Sequence, residues 1–293
     1  MGEERPVIEQ RIIDLYDEYT HTPLDRRVFL ARLTQLTGSA AAALALVPLL
    51  EANQACAALI APDDARLDTS RLSYPGATGE IKAYLARPKG SGKFPAVIVI
   101  HENRGLNPHI EDVTRRVALE GFLALGPDLL SPAGGTPANE DTARDMIGKL
   151  DGPQTVQNLV AAVTFLAKHA QSNGKVGAMG FCWGGGMVGD LAVHAPTLNA
   201  AVVYYGRQPK AAEVDKINAP LLLHYAGMDT RINEGIPAFE AALKQARKPY
   251  TLHMYDGAQH AFNNDTSEAR YNKAAAEQAW QRSMAFFKEH LKA

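Results

Sequence analysis

Short apolar runs alternate with longer amphipathic segments over most of this chain. Residues 96–100, Ala-Val-Ile-Val-Ile, carry no polar side chain, which is typical of a strand buried on both faces of a sheet. Residues 79–87 instead alternate, with Ile81, Ala83 and Leu85 on one face, and predict an edge strand. Further strands are predicted at residues 122–126, 175–179, 200–205, 220–225 and 250–255.

Segments with helical periodicity separate these strands. Helices are predicted at residues 110–120, 136–150, 153–170, 187–195, 233–246 and 270–291, with Asn233 as an N-cap. Strands that alternate with helices favour an α/β fold, here a doubly wound, mostly parallel sheet with helices on both faces. Ligands of such sheets bind at the carboxyl ends of the strands, so polar residues that follow the strands are candidates for a functional site.

The most specific motif, Gly180-Phe181-Cys182-Trp183-Gly184, follows the strand at residues 175–179 and precedes a helix. A nucleophile flanked at this spacing by small residues is typical of a nucleophile elbow, with cysteine in place of serine. The turn is tight, so side chains two residues before or after the nucleophile would collide with neighbouring backbone. The elbow also places Cys182 at a helix N-terminus, which favours a thiolate. The alternative is a small buried cysteine beside an ordinary glycine turn.

An acid and a base follow two later strands. Asp229 comes shortly after the strand at residues 220–225, and His260 follows the strand at residues 250–255. The order nucleophile, acid, histidine along the chain is that of the α/β hydrolases. We therefore expect His260 to take the thiol proton of Cys182 and Asp229 to orient the imidazole.

Other residues compete for these two roles. Asp256 lies four residues before His260 and is expected to shape a turn with Gly257. His224 and His253 lie inside predicted strands and are expected to pack in the core. The other histidines considered lie in loops or on helices; they are His101, His109, His169, His194 and His290.

Composition and charge narrow the class of protein. The 293 residues are 46% hydrophobic and 21% charged, which is ordinary for a globular protein and enough for one large α/β domain. The formal net charge of −2 gives no reason to expect nucleic acid or an acidic membrane surface as a partner. No apolar run predicts a stable membrane insertion. The oligomeric state is left open.

Residues 1–57 are predicted to be separate from a single domain at residues 58–293. Asp25-Arg26-Arg27-Val28-Phe29-Leu30 is a twin-arginine pattern, residues 38–50 are weakly hydrophobic, and Ala55-Cys56-Ala57 fits a cleavage site. This order predicts a leader for export to the periplasm. The alternative is a helical extension that stays attached to a cytoplasmic protein, because the basic region lies unusually deep in the chain.

The chain has two cysteines, Cys56 and Cys182. Cleavage after Ala57 would leave Cys182 as a single thiol in an oxidising compartment, where it would be either deeply buried or reactive. The sequence contains no C-x-x-C pair and therefore offers neither a thioredoxin-like site nor a cysteine zinc site.

From about residue 68 to its C-terminus, the chain resembles the dienelactone hydrolase family, within the α/β hydrolases. Six short matches carry this resemblance; each is weak alone, and their combination is specific. They are residues 180–186, the loop His101-Glu102-Asn103-Arg104-Gly105-Leu106, Gly126-Pro127-Asp128-Leu129, Tyr204-Tyr205-Gly206, Asp229 and His260-Ala261-Phe262.

The resemblance implies two roles beyond the triad. In the family, a loop glutamate contacts the cysteine and helps to form the thiolate, and Glu102 stands at that position. Two backbone N–H groups form the family's oxyanion hole, and here they belong to Asn103 and Trp183.

The substrate-binding positions depart from the family pattern. Lactone-cleaving members grip a substrate carboxylate with two arginines, and Ser131 or Pro132 and Asn264 stand at the corresponding positions. The missing clamp argues against dienelactone itself as the substrate. The candidate substrate contacts are Arg104, Tyr205 and Asn264, and Arg207 and Arg231 are other arginines that could form an anion site or plain surface charge.

Together these features predict a cofactor-independent hydrolase of a small-molecule ester or lactone. Cys182 would form an acyl-thioester, which water then cleaves. Two other classes remain open. One is a non-catalytic relative that binds a small ligand in the same cleft. The other is a metal-dependent hydrolase that uses His101 and Glu102, although these residues have no recognised ligand spacing.

Overall fold

The computed structural model describes residues 8–22, 24–51 and 58–292, and within them eight strands form one sheet. The strands are β1 (Leu67–Gly76), β2 (Gly79–Pro88), β3 (Phe94–Ile100), β4 (Leu123–Pro127), β5 (Ser172–Phe181), β6 (Ala200–Tyr204), β7 (Leu221–Ala226) and β8 (Tyr250–Tyr255). Their order across the sheet is β1-β2-β4-β3-β5-β6-β7-β8. Neighbours from β4 to β8 are parallel, whereas β1–β2 and β2–β4 are antiparallel.

Helices cover both faces of this sheet. They are α1 (Gln10–His21), α2 (Arg26–Thr37), α3 (Ala40–Leu50), α4 (Pro108–Leu119), α5 (Glu140–Ile147), α6 (Gly152–Lys168), α7 (Trp183–His194), α8 (Thr230–Asn233), α9 (Ile236–Gln245) and α10 (Lys273–His290). One buried apolar core contains side chains of α6, α7 and α9, and a second contains side chains of α4 and α10. The predicted α/β architecture is therefore confirmed.

The sheet has an edge strand that the sequence analysis did not predict. Strand β2 was expected at the edge, but it lies between β1 and β4. The pattern of β1 is mostly polar, and only Leu67 and Tyr74 among its residues are buried, so it carries little apolar signal. The prediction of β2 as an edge strand was wrong for this reason.

Two predicted helices are shorter than expected. Residues 136–139 lie outside the helix expected at residues 136–150, because α5 begins only after the N-cap Asn139. The helix expected at residues 233–246 is split into α8 and α9, and Asn233 ends α8 instead of capping a helix. Gly235 is the N-cap of α9, so the prediction of Asn233 as the N-cap was wrong.

The first three helices, α1 to α3, are here called the N-terminal helices. They share an apolar core that is distinct from the two cores of the sheet. Its buried members are Ile12, Leu15, Tyr16, Tyr19, Phe29, Leu33, Ala43, Val47 and Leu50. The predicted cleavage site at Ala55-Cys56-Ala57 lies outside the described residues.

No single helix in the described ranges is long and apolar enough to cross a membrane. Helices α2 and α3 meet the length and hydropathy requirement only as a pair, and the pair is bent by 113°.

Candidate active site

Cys182 lies in a tight turn between β5 and α7. Its φ of 55° and ψ of −117° form a conformation that non-glycine residues rarely adopt. A Cβ at Gly180 would lie 2.4 Å from the Gly184 oxygen, and a Cβ at Gly184 would lie 2.3 Å from the His101 oxygen. These close approaches explain why glycine stands on both sides of Cys182, as the elbow motif requires.

His260 and Asp229 meet beyond the carboxyl ends of β7 and β8. The Nδ1 atom of His260 lies 2.5 Å from Oδ2 of Asp229, and both residues are buried. Asp229 also caps α8, where its Oδ1 accepts a hydrogen bond of 3.3 Å from the Ile232 N–H. This contact fixes the orientation of the carboxylate. The Nε2 atom of His260 is buried and has no hydrogen-bond partner among the described residues.

Burial lowers the pKa of His260, but the negative charges of Asp17, Asp229 and Cys182 outweigh that effect. The pKa of this imidazole therefore lies well above its usual value. Asp229 can stabilise the protonated ring in the way that the acid of a triad does.

His21 of α1 makes a direct contact with the cysteine that the sequence analysis did not predict. Its Nε2 atom lies 3.0 Å from Sγ of Cys182, and its ring packs edge-on against His260 with 4.6 Å between centroids. The Nδ1 atom of His21 lies 2.8 Å from the Asp17 carbonyl oxygen and 3.4 Å from Oδ1 of Asp17. Cys182 is thus flanked by two histidines, each held by an aspartate.

His21 and Asp17 were not predicted as site residues, because both lie in the segment interpreted as a leader. His21 is 161 residues away from Cys182 along the chain. The available signal was an aspartate and a histidine four residues apart on an amphipathic helix, which places both side chains on one face.

The charges around Cys182 favour its thiolate. Burial raises the pKa of the thiol, but the positive charges of His21 and His260 outweigh burial and lower the pKa to about 6. Burial likewise raises the pKa of Asp17, but His260, His21, Arg270 and Arg231 lower it to about 2.

Asn103 and Trp183 are the two expected oxyanion donors; Asn103 lines the same small cavity as Cys182, and Trp183 directly follows Cys182. Trp183 is the first residue of α7, so its backbone N–H has no partner in the helical pattern. The side chain of Asn103 donates a 2.7 Å hydrogen bond to the Thr20 carbonyl oxygen of α1. Helix α1 therefore contacts the loop that carries Asn103 as well as Cys182.

Glu102, the expected thiolate-forming residue, is held by Asn264. Its Oε2 atom accepts a 2.8 Å hydrogen bond from the Asn264 side chain, and its Oε1 atom is buried without a partner among the described residues. The ring of His21 lies within hydrogen-bonding distance of Sγ of Cys182. Asn264 is buried, so it positions Glu102 in the described conformation.

Tyr205 lies against His260, with 5.1 Å between ring centroids. Its hydroxyl is buried without a partner among the described residues. Burial, together with the charges of Glu102 and Cys182, raises its pKa well above the usual value, so the phenol stays protonated and can donate a hydrogen bond.

The candidate arginines are all engaged with acidic residues. Arg104 is buried, lies 3.6 Å from Asp141 and donates to the Glu140 carbonyl oxygen. Arg231 lies 3.4 Å from Asp17. Arg207 pairs with Asp190 on the surface.

His101 is fixed by the loop that follows β3. Its Nδ1 lies 2.6 Å from the Glu102 carbonyl oxygen, its Nε2 accepts a long 3.4 Å hydrogen bond from the Leu129 N–H, and its ring stacks on Trp183. Both nitrogens are therefore engaged, which leaves none to act as the metal ligand considered from the sequence.

The space beside Cys182 is small in this conformation. The cavity that contains it has a volume of about 20 Å³, enough for about one water molecule. A cavity of about 520 Å³ lined by His21, Asn103 and Trp183 lies on one side. A cavity of about 280 Å³ lined by Asp17, Asp229 and His260 lies on another. The side chain of His21 thus lines both the small cavity that contains Cys182 and the larger cavity beside Asn103 and Trp183.

Two family models and several known proteins match this chain. The dienelactone hydrolase family model matches residues 81–291, and a YqhI-like family model matches residues 6–37. A protein from Escherichia coli O157:H7, provisionally named carboxymethylenebutenolidase, is 34% identical over 245 residues, which cover 78% of this chain and 89% of that protein.

A Methylorubrum extorquens protein with the same provisional name is 31% identical over 297 residues, which cover 94% of this chain and 97% of that protein. The alignment therefore reaches into the N-terminal helices. A crystal structure from Klebsiella pneumoniae, provisionally named dienelactone hydrolase, has a TM-score of 0.69 and 32% identity over 76% of this chain and 99% of that chain. Because the match spans most of the chain and includes relatives above 30% identity, this chain belongs to the dienelactone hydrolase family.

Proposed function

We propose that this protein cleaves a carboxylic ester or lactone through a triad of Cys182, His260 and Asp229. The observation that carries the proposal is a cysteine at a strained elbow, with its pKa lowered to about 6, beside a histidine whose Nδ1 is bound by a buried aspartate. Membership of the dienelactone hydrolase family supports the same reaction class.

In the proposed reaction, the Cys182 thiolate attacks the carbonyl carbon, and the backbone N–H groups of Asn103 and Trp183 stabilise the oxyanion. Each such donor is worth roughly 3 kcal/mol in comparable enzymes. Protonated His260 then donates its proton to the departing alkoxide, which leaves an acyl-thioester. Neutral His260 next takes a proton from water, whose hydroxide cleaves the thioester and releases the acid and the thiolate.

Turnover by this route requires the His21 side chain to move, because the carbonyl carbon must approach the atom that His21 now contacts. The N-terminal helices suit such a movement, since they carry their own apolar core. Their contacts with the catalytic centre are largely polar and run through Asp17, Thr20 and His21. The cavity beside Asn103 and Trp183 offers the route of entry.

We also propose that the N-terminal helices stay attached in the working protein, in line with the alternative to a cleaved leader. Their buried core and the contact of His21 with the nucleophile support this proposal. Export through the twin-arginine pattern remains a prediction; Arg26 is ion-paired with Glu51 and Asp141 in the folded chain. Mass spectrometry of the N-terminus in periplasmic and cytoplasmic fractions tests both points, and a chain that begins after Ala57 would contradict retention.

The test of the proposed function is hydrolysis of small aryl esters and lactones by Cys182→Ala. We expect the rate to fall by at least ~10³-fold, the usual scale for loss of a triad nucleophile, with an unchanged circular dichroism spectrum. Cys56→Ala is the matched control and should keep the activity. Undiminished hydrolysis by a folded Cys182→Ala protein would exclude the mechanism. Ligand binding without any turnover by the wild type would favour a non-catalytic relative.

A further inference from the structure

We propose that His21, Cys182 and His260 form a binding site for a thiophilic divalent cation such as Zn²⁺, and that this cation holds the active site closed. This inference concerns the same residues as the proposed hydrolase site. Binding of the cation, however, does not depend on turnover, so the two proposals can fail separately.

The three ligand atoms already lie close together. Sγ of Cys182 and a ring nitrogen from each of His21 and His260 are all within 4.8 Å of one another. One thiolate and two imidazoles are a donor set that Zn²⁺ prefers, and three protein ligands leave a fourth position for water.

The second ring nitrogen of His260, Nε2, is positioned to serve as a metal ligand in this cluster. Its Nδ1 is occupied by Asp229, and its Nε2 is buried without a hydrogen-bond partner in the part of the chain that the structure describes. The whole residue is 4% exposed. A buried polar atom without a partner is costly, and a cation that displaces the proton of this nitrogen would give it one.

His21, like His260, has one ring nitrogen held by an aspartate and the other directed at the cluster. Its Nδ1 faces the Asp17 carbonyl oxygen, so its Nε2 faces Sγ of Cys182. Metal-binding histidines characteristically donate their other N–H to a carboxylate or a backbone carbonyl, which fixes the ring and strengthens the ligand. Both histidines of this cluster meet that condition, one through Asp229 and the other through Asp17.

For the pair formed by His21 and Cys182, the present spacing needs only a small change to accept the ion. The Nε2 atom of His21 lies 3.0 Å from Sγ of Cys182, a hydrogen-bond distance. Tetrahedral zinc with its usual bond lengths would place nitrogen and sulfur about 3.5 Å apart. A shift of about half an ångström by a side chain on the N-terminal helices would provide that distance.

The consequence is reversible inhibition. The cation would occupy the thiolate of Cys182 and the Nε2 of His260, the two groups that the proposed reaction uses, and would tie α1 to the domain through His21. Because zinc replaces the protons that these groups share, binding releases protons and strengthens as pH rises.

The experiment uses the full-length chain with Cys56→Ser, stripped of metal with a chelator that is then removed. Co²⁺ is titrated in while the near-ultraviolet thiolate-to-cobalt charge-transfer band is recorded, and Zn²⁺ is then added in competition. We expect one equivalent of Co²⁺ to produce the band and Zn²⁺ to abolish it. His21→Ala should weaken binding by at least about a hundredfold, since an even more distant change around a metal costs 10–100-fold. His194→Ala, at an exposed histidine of α7, is the matched control and should bind as the parent does.

Two results would overturn the inference: no charge-transfer band in the parent chain, or equal affinity in His21→Ala and the parent. A band with the expected loss in His21→Ala supports the site even if no ester is hydrolysed, in which case only the proposed function fails. Where hydrolysis is present, Zn²⁺ should inhibit the parent at stoichiometric concentrations.

Discussion

At the scale of single residues, Cys182 combines a strained backbone with a charge that its neighbours stabilise. The elbow lifts its sulfur to the start of α7, and the positive charges of His21 and His260 overcome the cost of burial. The sequence predicted this chemistry for Cys182, Asp229 and His260, because each follows a strand in hydrolase order. It did not predict His21, since only folding brings that residue to the sulfur.

The lowered pKa of Cys182 leads to a prediction about its reaction with iodoacetamide. Only the thiolate reacts, so the alkylation rate in a Cys56→Ser background should rise with pH around a midpoint of about 6. A cysteine without these neighbours would show a midpoint of about 8.5.

The thiolate also stabilises the folded state. This contribution to the free energy of unfolding is lost as pH falls through about 6, because the pKa of Cys182 is lower in the folded than in the unfolded chain.

Removal of His21 should raise that midpoint. His21→Ala deletes one of the two positive charges beside the sulfur, so the thiolate should form only at higher pH. The measurement is the pH profile of alkylation, followed by mass spectrometry, with His194→Ala as the control. A wild-type midpoint near that of free cysteine would contradict the electrostatic account of the site.

At the scale of elements, α1 is the feature that separates this structure from a bare hydrolase domain. It contacts Cys182 through His21 and the side chain of Asn103 through Thr20, and Arg231 lies against its Asp17. A helical extension was one interpretation of the first residues of the chain, but the prediction of a helix does not say which surface the helix covers. Docking of α1 depends on complementary charges that come from distant parts of the sequence.

The position of α1 predicts that it limits access to Cys182. At a pH well above both midpoints, where the thiolate is complete in every variant, His21→Ala should react with iodoacetamide about tenfold faster than the parent. That factor corresponds to about 1.4 kcal/mol, near the lower end for one lost hydrogen bond to a charged group. Equal rates at that pH would show that His21 does not restrict the sulfur.

At the scale of the whole molecule, the sheet brings Cys182, Asp229 and His260 together beyond the carboxyl ends of its parallel strands. The parallel strands β5, β7 and β8 end on the same side, which is why residues far apart in sequence meet there. The antiparallel pair formed by β1 and β2 extends the sheet away from the site. Its position was missed because β1 is largely polar, but this error does not change where Cys182, Asp229 and His260 lie.

The ion pairs of the candidate arginines, which form between distant parts of the molecule, predict a preference for neutral substrates. The candidate arginines Arg104, Arg207 and Arg231 are all paired with acidic residues, so a substrate carboxylate would have to compete with these partners. Neutral aryl esters and lactones should therefore show higher kcat/KM than analogues that carry a carboxylate, by about tenfold or more for one missing charge-assisted contact. The reverse ranking in a matched substrate panel would contradict this assignment of the arginines.

The sequence by itself determined the α/β fold, the elbow around Cys182 and the order in which Cys182, Asp229 and His260 follow their strands, because these depend on local periodicity and on tight turns. Only the tertiary structure decided what lies above the sulfur. The contact of His21 with Cys182, the pairing of Arg231 with Asp17 and the small space left for a substrate arise where independent segments pack together. The spacing of residues along the chain does not predict such contacts, since they depend on how each helix is oriented relative to the rest of the fold.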